Sequence, residues 1–354
     1  MSALTPRQRV LMLVVAVLVV AAGAAHYAGL GDVATFAVAA LALAGVAWLV
    51  SFGTEELGTR LSPGVTGLLQ STLGNLPELF VVIFALQKGE IVVAQTSILG
   101  SIFANALLVL GLTIVLGARR EQDGCMRFAR RLPKDTSTLL LVTSFIIVIV
   151  GISLASDDHA STHIQSISVI AAIVLLLVYA AWVVPFARSG EAPAAAEGAG
   201  HAGVPLAFTL VLLGVAGVAA ALVSEWFIDA LGPAIDQLGV SQAFAGLVIV
   251  AIAGNAVENV TAFVLARGGK SDLAISVVKN SVAQIAAFLF PALVLISQLF
   301  TTHLTFAIQP VYIGALLLTS LAVWQITGDG EAAAFEGWAL TGTYVILAAL
   351  ALYE

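Results

Sequence analysis

Eleven apolar runs follow one another along the 354 residues, separated mostly by short polar loops. They span roughly 9 to 29, 33 to 52, 63 to 87, 91 to 117, 137 to 155, 166 to 187, 205 to 229, 241 to 266, 272 to 299, 305 to 326 and 335 to 353. A helix needs roughly 20 mostly apolar residues to cross the hydrocarbon core of a bilayer, and the runs meet that length. The chain is 60% hydrophobic and only 10% charged, with a mean hydropathy of +1.06, far from the balance of a soluble domain. The fold class expected is therefore an all-α polytopic membrane protein of about eleven transmembrane helices, with the lipid bilayer as its first partner. Met1 to Ala25 resembles a signal peptide, but the apolar run is long and further spans follow at once, so it reads as the first span.

The loops carry the next constraint. With the N-terminus cytoplasmic, eleven spans gather Arg7, Arg9, Arg60, Arg119, Arg120, Arg127, Arg130, Arg131, Lys134, Arg188, Arg267 and Lys270 on the cytoplasmic side and leave only Lys88 outside. The C-terminus then lies outside, in what reads as a cell membrane. No long basic run points to nucleic acid. The single Cys125 excludes an internal disulfide and any multi-cysteine metal site.

"GNLPE" at 74 to 78 returns as "GNAVE" at 254 to 258, an offset of 180 residues that persists downstream. Ser101 in "LGSIFAN" corresponds to Ser281 in "VKNSVAQ", and the loop "QKGE" to "GGKS". The chain divides into an N-terminal helix (1–31), a first five-helix repeat (32–188), an Ala/Gly-rich flexible linker (189–204) and a second five-helix repeat (205–354). Five crossings separate the motifs, so the repeats are expected to be inverted, the arrangement suited to alternating access.

A carboxylate near the bilayer midplane costs about 2.5 to 3.5 kcal/mol on insertion scales, which makes Glu78 and Glu258 functional candidates. Asn75 and Asn255, three residues before them, share their helix faces. Gly74, Gly254 and Pro77 are expected to loosen the helices, and Pro77, which removes a backbone hydrogen bond and clashes with a preceding carbonyl, to free carbonyls near Gly74 as ligands. Two inverted copies would bring both glutamates together beside amide oxygens, an all-oxygen set that suits a hard cation such as Ca2+ and contains no thiolate or imidazole for zinc or copper. Two like charges in a low-dielectric cavity repel, so without a cation the pair takes up protons and metal and protons compete. That competition is the chemistry of an antiporter, which carries ions and protons and catalyses no covalent reaction. Ser101, Asn105, Ser281, Gln284 and Asn280 are expected to line the site, with Glu55 and Glu225, at opposite span ends, as gates or proton relays and Glu56 beside the first. Trp182, Trp226, Trp324 and Trp338 are expected in interfacial belts.

These residues resemble the calcium/proton exchanger (CAX) family of the calcium/cation antiporter superfamily. Two stretches carry the resemblance, "GNLPELFVVIFALQKGEIVVAQTSILGSIFANALLVLG" and "GNAVENVTAFVLARGGKSDLAISVVKNSVAQIAAFLFPALVL", helped by "TE" at 54 to 55, "SE" at 224 to 225 and "DGEAAAFEGWAL". The resemblance implies Ca2+/H+ exchange by alternating access, with Glu78 and Glu258 as the central metal and proton ligands, Asn75, Asn255, Ser101, Asn105, Ser281 and Gln284 lining the site or its path, and Glu55 and Glu225 as peripheral acids. No resident cofactor is implied, only transported Ca2+ or another cation and H+.

Five features depart from the family pattern. Pro77 replaces a small or branched apolar residue, Asn259 stands where histidine is common, Asn280 replaces a glycine, and the mid-loop carries only Glu191 and Glu197. Lys279 puts a basic side chain in the span that should pack against the site. Facing the cavity, it would pair with a glutamate, lower affinity for a divalent cation, favour a monovalent one such as Na+ or K+, or itself carry the exchanged proton; otherwise it would snorkel to the cytoplasmic side. A remote alternative is an intramembrane protease, from "EELGTR" at 55 to 60, but the five histidines lack the spacing such enzymes need.

Overall fold

The computed structural model describes residues 4–61, 69, 72–188 and 204–354, and its long elements are all helices. In chain order these are α1 (Pro6–Ala28), α2 (Asp32–Gly58), α3 (Leu76–Gln87), α4 (Ile91–Ala118), α5 (Arg131–Ser156), α6 (Ile164–Arg188), α7 (Leu206–Leu238), α8 (Gln242–Gly254), α9 (Ala256–Arg267), α10 (Ser271–Ser297), α11 (Pro310–Thr327) and α12 (Ala334–Leu352). Two short strands, β1 (Cys125–Arg127) and β2 (Glu331–Ala333), pair antiparallel.

Nine helices among the described residues are long and apolar enough to cross a bilayer, and α8 with α9 makes a further crossing bent by 60°. The span expected at 63 to 87 is represented by the shorter α3, since residues 62–68, 70 and 71 lie outside the described set, as do 189–203 of the expected linker with Glu191 and Glu197. Three boundaries differ from expectation by six residues or more, the first being the end of α2 at Gly58 rather than 52. α5 starts at Arg131 rather than 137, because Pro133 stands in the first turn, where no amide donor is required. α7 runs on to Leu238, through Pro233, and is capped by Gly239 in a left-handed conformation.

The two halves repeat each other down to the backbone. The helix breaks at Asn75 (φ -96°, ψ 17°) and again at Asn255 (φ -97°, ψ 17°). Each following helix ends in a turn closed by a glycine of positive φ, 77° at Gly89 and 76° at Gly269. α4 and α10 each carry a wider π turn, at Ala104–Val109 and Ile285–Leu289. Packing between the halves is reciprocal. α2 lies along α7 and α5 along α11, while α3 packs on α7 and α9 on α2, and α12 packs on α4 and α6 on α10. α1 lies outside this exchange, against α2 and α7.

Side-chain contacts sort the loops onto two faces. On one, Arg60 donates to the Val204 carbonyl, Arg120 to the Arg267 carbonyl, and Asp272 accepts from the Ala129 amide at 2.6 Å, beneath the β1–β2 ribbon. In that ribbon the Arg127 guanidinium hydrogen-bonds Asp123 and holds its carboxyl below the usual carboxylate range. On the other face Lys88 pairs with Asp229, Gln242 donates to Glu90 at 2.9 Å, and Gln237 to Asp32 at 3.1 Å. Arg60, Arg120, Arg127 and Arg267, four of the twelve basic residues expected on one side, thus share a face, and Lys88 lies on the other. The same contacts fix the sense of the repeats, because α3 leaves the break toward the Lys88 face while α9 leaves its own toward the basic face. The second copy runs opposite to the first.

Small residues let the helices meet. A Cβ on Gly100 of α4 would lie 2.5 Å from the Leu247 backbone of α8, so the two helices touch backbone to backbone, as membrane helices do when dispersion rather than the hydrophobic effect drives packing. Trp226, expected at an interfacial belt, is buried with its ring over Gly23 of α1 and stacked on His26, near the Lys88–Asp229 pair; Trp324 and Trp338 are about half exposed.

Candidate functional site

Glu78 and Glu258 occupy equivalent positions, each three residues beyond a backbone break and in the first turn of a 12-residue helix. The leading amides of such a helix have no partner within it, and its dipole places partial positive charge there, so each half-helix favours a negative group where its glutamate sits. Glu78 is 5% exposed and Glu258 half-buried. The two carboxylates lie within electrostatic reach of each other, and Glu55 lies within reach of Glu258.

The first half's acid lies against the second half's break. A Cβ on Gly254 would be 2.7 Å from Glu78 Oε1 and 3.0 Å from its Cδ, so the carboxylate fits only because Gly254 has no side chain. The other oxygen, Oε2, is buried with no hydrogen-bond donor among the described residues.

Beside it, α4 and the break are locked together. Asn255 Nδ2 donates to Ser101 Oγ at 2.9 Å and to the Ala251 carbonyl at 2.9 Å, while its Oδ1 accepts from Asn105 Nδ2 at 2.8 Å. Asn105 also donates to the Ser101 carbonyl at 2.9 Å. Every polar atom of the Asn255 amide is engaged, whereas Asn105 Oδ1 is buried and unpartnered. Of these two amides it is Asn105, on the π turn of α4, that presents a spare oxygen.

The remaining expected residues divide. Asn75 is buried at its break. Ser281 and Asn280 are buried on α10, the latter with an unpartnered Oδ1, and Gln284 is half-buried one turn on. Asn259, one residue past Glu258, is buried with an unpartnered Oδ1 as well. Glu55 lines a cavity of about 330 Å3 between α2 and α9, with Trp48, Ser51, Ala256, Val257 and Thr261, on the side of the basic face. Glu225 is exposed on α7 toward the other face, and Glu56 is buried at the end of α2.

Two expectations need correcting. Pro77 does not make the break, for it sits at the second position of α3, where an amide donor is dispensable. The second copy bends at the same backbone angles with Val257 in that place. Lys279 neither lines the site nor reaches water. Its ammonium is buried and donates to Ser137 Oγ of α5 at 2.5 Å and Thr327 Oγ1 of α11 at 3.3 Å, and among the described residues it forms no ion pair with a carboxylate.

Among the described residues no group of three or more histidines, cysteines or acids gathers. The described histidines lie away from the EELGTR stretch. Glu55 and Glu56 lie at the basic end of α2, whereas His26 faces Asp229, His159 packs against His163, and His303 bonds the Ser297 carbonyl, all toward the opposite face; His201 lies outside the described residues. Sequence reasoning missed Gly254 as the seat of Glu78 and the cavity wall formed by Trp48 and Ser51. The glycine was in view in both motifs, but its contact joins residues 176 positions apart.

Known proteins match this chain along most of its length. The family described as sodium/calcium exchanger protein matches twice, over residues 32–187 and 208–353, one match per half. The Ca2+/H+ antiporter of Synechocystis sp. is 32% identical over 346 residues, 92% of each chain. The Ca2+/H+ antiporter ChaA of Bacillus subtilis is 29% identical, over 88% of this chain and 90% of its own. The solved structure of native YfkE superposes with a TM-score of 0.80 at 27% identity, covering 97% of this chain and 100% of that one. The H+/Ca2+ exchanger CAX shares the fold, with a TM-score of 0.75 at 16% identity over 98% and 93%.

Proposed function

The chain belongs to the sodium/calcium exchanger protein family, and we propose that it is a secondary Ca2+/H+ antiporter working by alternating access, with Glu78 and Glu258 holding either the cation or protons. One observation carries this reading: the Glu78 carboxylate of one half is seated on Gly254 of the other, in reach of Glu258, and the next residue, Asn255, is bonded to Asn105 of the first half. Ca2+ takes six to eight oxygens. Two carboxylates supply up to four, and Asn105, Asn75, Ser281, Gln284 and carbonyls at the α8 break offer the rest, with water. Asn255 and Ser101 orient them.

With Ca2+ bound, or with both acids protonated, the site carries little net charge and crosses the membrane interior at low cost; empty and ionised, it does not. That rule makes exchange obligatory. The halves, 32–188 and 205–354, provide two similar packings of opposite sense, and the joint at 189–204 lets them shift. The α2–α9 cavity with Glu55 is the water path and proton relay from the basic face, which the excess of arginine and lysine assigns to the cytoplasm. Glu225 serves the opposite path. The protein lies in the cell membrane, N-terminus inside, and expels Ca2+ at the expense of the proton gradient.

Purified protein reconstituted into vesicles with an acid interior tests the proposal. Added Ca2+ should discharge the pH gradient, and Na+ and K+ should not. Discharge by Na+ or K+ alone would make the chain a monovalent cation exchanger, and silence with every cation would end the antiporter reading.

A further inference from the structure

Lys279 is the one lysine of the chain placed in the interior, and it is 1% exposed. Burying an ammonium is costly unless it is hydrogen-bonded, and the counterpart position in the first half, Leu99, is filled by a buried leucine of similar reach. A leucine would pack here without that cost, so the lysine's partners matter. Ser137 lies on α5 and Thr327 on α11, two helices that pack on each other across the halves. Thr327 is the last residue of α11 and itself donates to the Val323 carbonyl at 2.6 Å. The ammonium therefore also meets the negative end of the α11 dipole. One side chain thus ties α10 to a helix pair drawn from both halves.

What α10 carries gives the tie its consequence. α10 holds Ser281 and Gln284 and follows α9, the helix of Glu258, after the short turn 268–270. Fixing α10 fixes the whole α9–α10 hairpin, which borders the cavity on the basic side. At the equivalent position the Leu99 side chain has no polar atom, so α4 lacks this bond and is held instead through Ser101 and Asn105 to Asn255. Two access states of an inverted pair lie close in energy, so a bond made in one half alone tilts the balance between them.

We propose that Lys279 is a positioning residue: its bonds to Ser137 and Thr327 hold the α9–α10 hairpin in place and bias the exchanger toward the state open to the basic face. The proposal rests on the exchange reading above for its second part only. Lys279→Leu copies the first half, and Thr327→Val removes one partner at nearly constant volume should the first variant fold poorly. Amide hydrogen exchange of the full-length protein is followed over residues 271–284, and the Ca2+ KM is measured from each side of oriented vesicles. In both variants exchange in that segment should quicken by about tenfold or more, and the ratio of the two KM values should move by about threefold or more. Unchanged hydrogen exchange would overturn the tie, and faster exchange with an unchanged KM ratio would overturn the bias, since a merely structural lysine alters yield and not sidedness. Wild type that moves no Ca2+ would sink the function reading instead, leaving hydrogen exchange to decide the tie.

Discussion

Glu78 and Gly254, from opposite halves of the chain, occupy each other's space: a Cβ on the glycine would lie 2.7 Å from the carboxylate oxygen. The atoms it would meet all belong to the flexible Glu78 side chain, so Gly254→Ala displaces the acid rather than the helix. Folding should hardly change. Ca2+ uptake should fall by about tenfold or more, equivalent to about 1.4 kcal/mol. Transport and melting midpoint measured on the same preparation check it, and a variant that transports normally would show that Glu78 need not sit there.

Glu78→Gln and Glu258→Gln remove a charge but little volume, so each should fold and yet lose exchange by about a hundredfold or more. Proton competition gives the sign of the pH dependence in wild type. Protons and Ca2+ occupy the same carboxylates, so apparent Ca2+ affinity falls as the medium is acidified and rises as it is made alkaline. Residual Ca2+ binding by either variant should depend less on pH than that of wild type. Isothermal titration at several pH values is the measurement, and an equally steep dependence in both variants would place the protons elsewhere.

Asn255→Ala strips partners from two buried groups at once, the Asn105 amide and the Ser101 hydroxyl. An unsatisfied buried polar group costs about 1–3 kcal/mol, so this variant should melt well below wild type. Ser101→Ala leaves only one Asn255 N–H without its acceptor and should cost less. Melting midpoints in detergent rank them, and the reverse order would mean that Asn255 is not the keystone of the lock.

Much of this site was legible because its chemistry is local and written twice. Asn and Glu three apart share a helix face wherever the helix lies, and the 180-residue offset pairs Glu78 with Glu258. Other features depend on contacts that no pattern carries. Lys279 reads as a charge near the site until Ser137, 142 positions away, takes it. Trp226 is covered by α1 because Gly23 there has no side chain to keep its ring off. The π turns of α4 and α10 leave no mark on hydropathy, yet one of them carries Asn105, the amide with an oxygen to spare.

Pro77 gives the sharpest contrast between what a residue type suggests and what its position allows. Proline inside a helix removes a hydrogen bond and clashes with the preceding turn, which makes it the natural suspect for the break before Glu78. In α3 it is the second residue, where that bond does not exist. The matching site in α9 holds Val257 after a break with the same dihedral angles within 1°. Pro77→Val therefore exchanges one half's residue for the other's, and the bend should survive because Gly74 and Asn75 remain. Exchange should stay within about threefold of wild type, under about 0.7 kcal/mol in barrier, with the melting midpoint little changed. Initial rates of Ca2+-driven pH discharge provide the check; a loss as deep as that of Glu78→Gln would return the break to the proline.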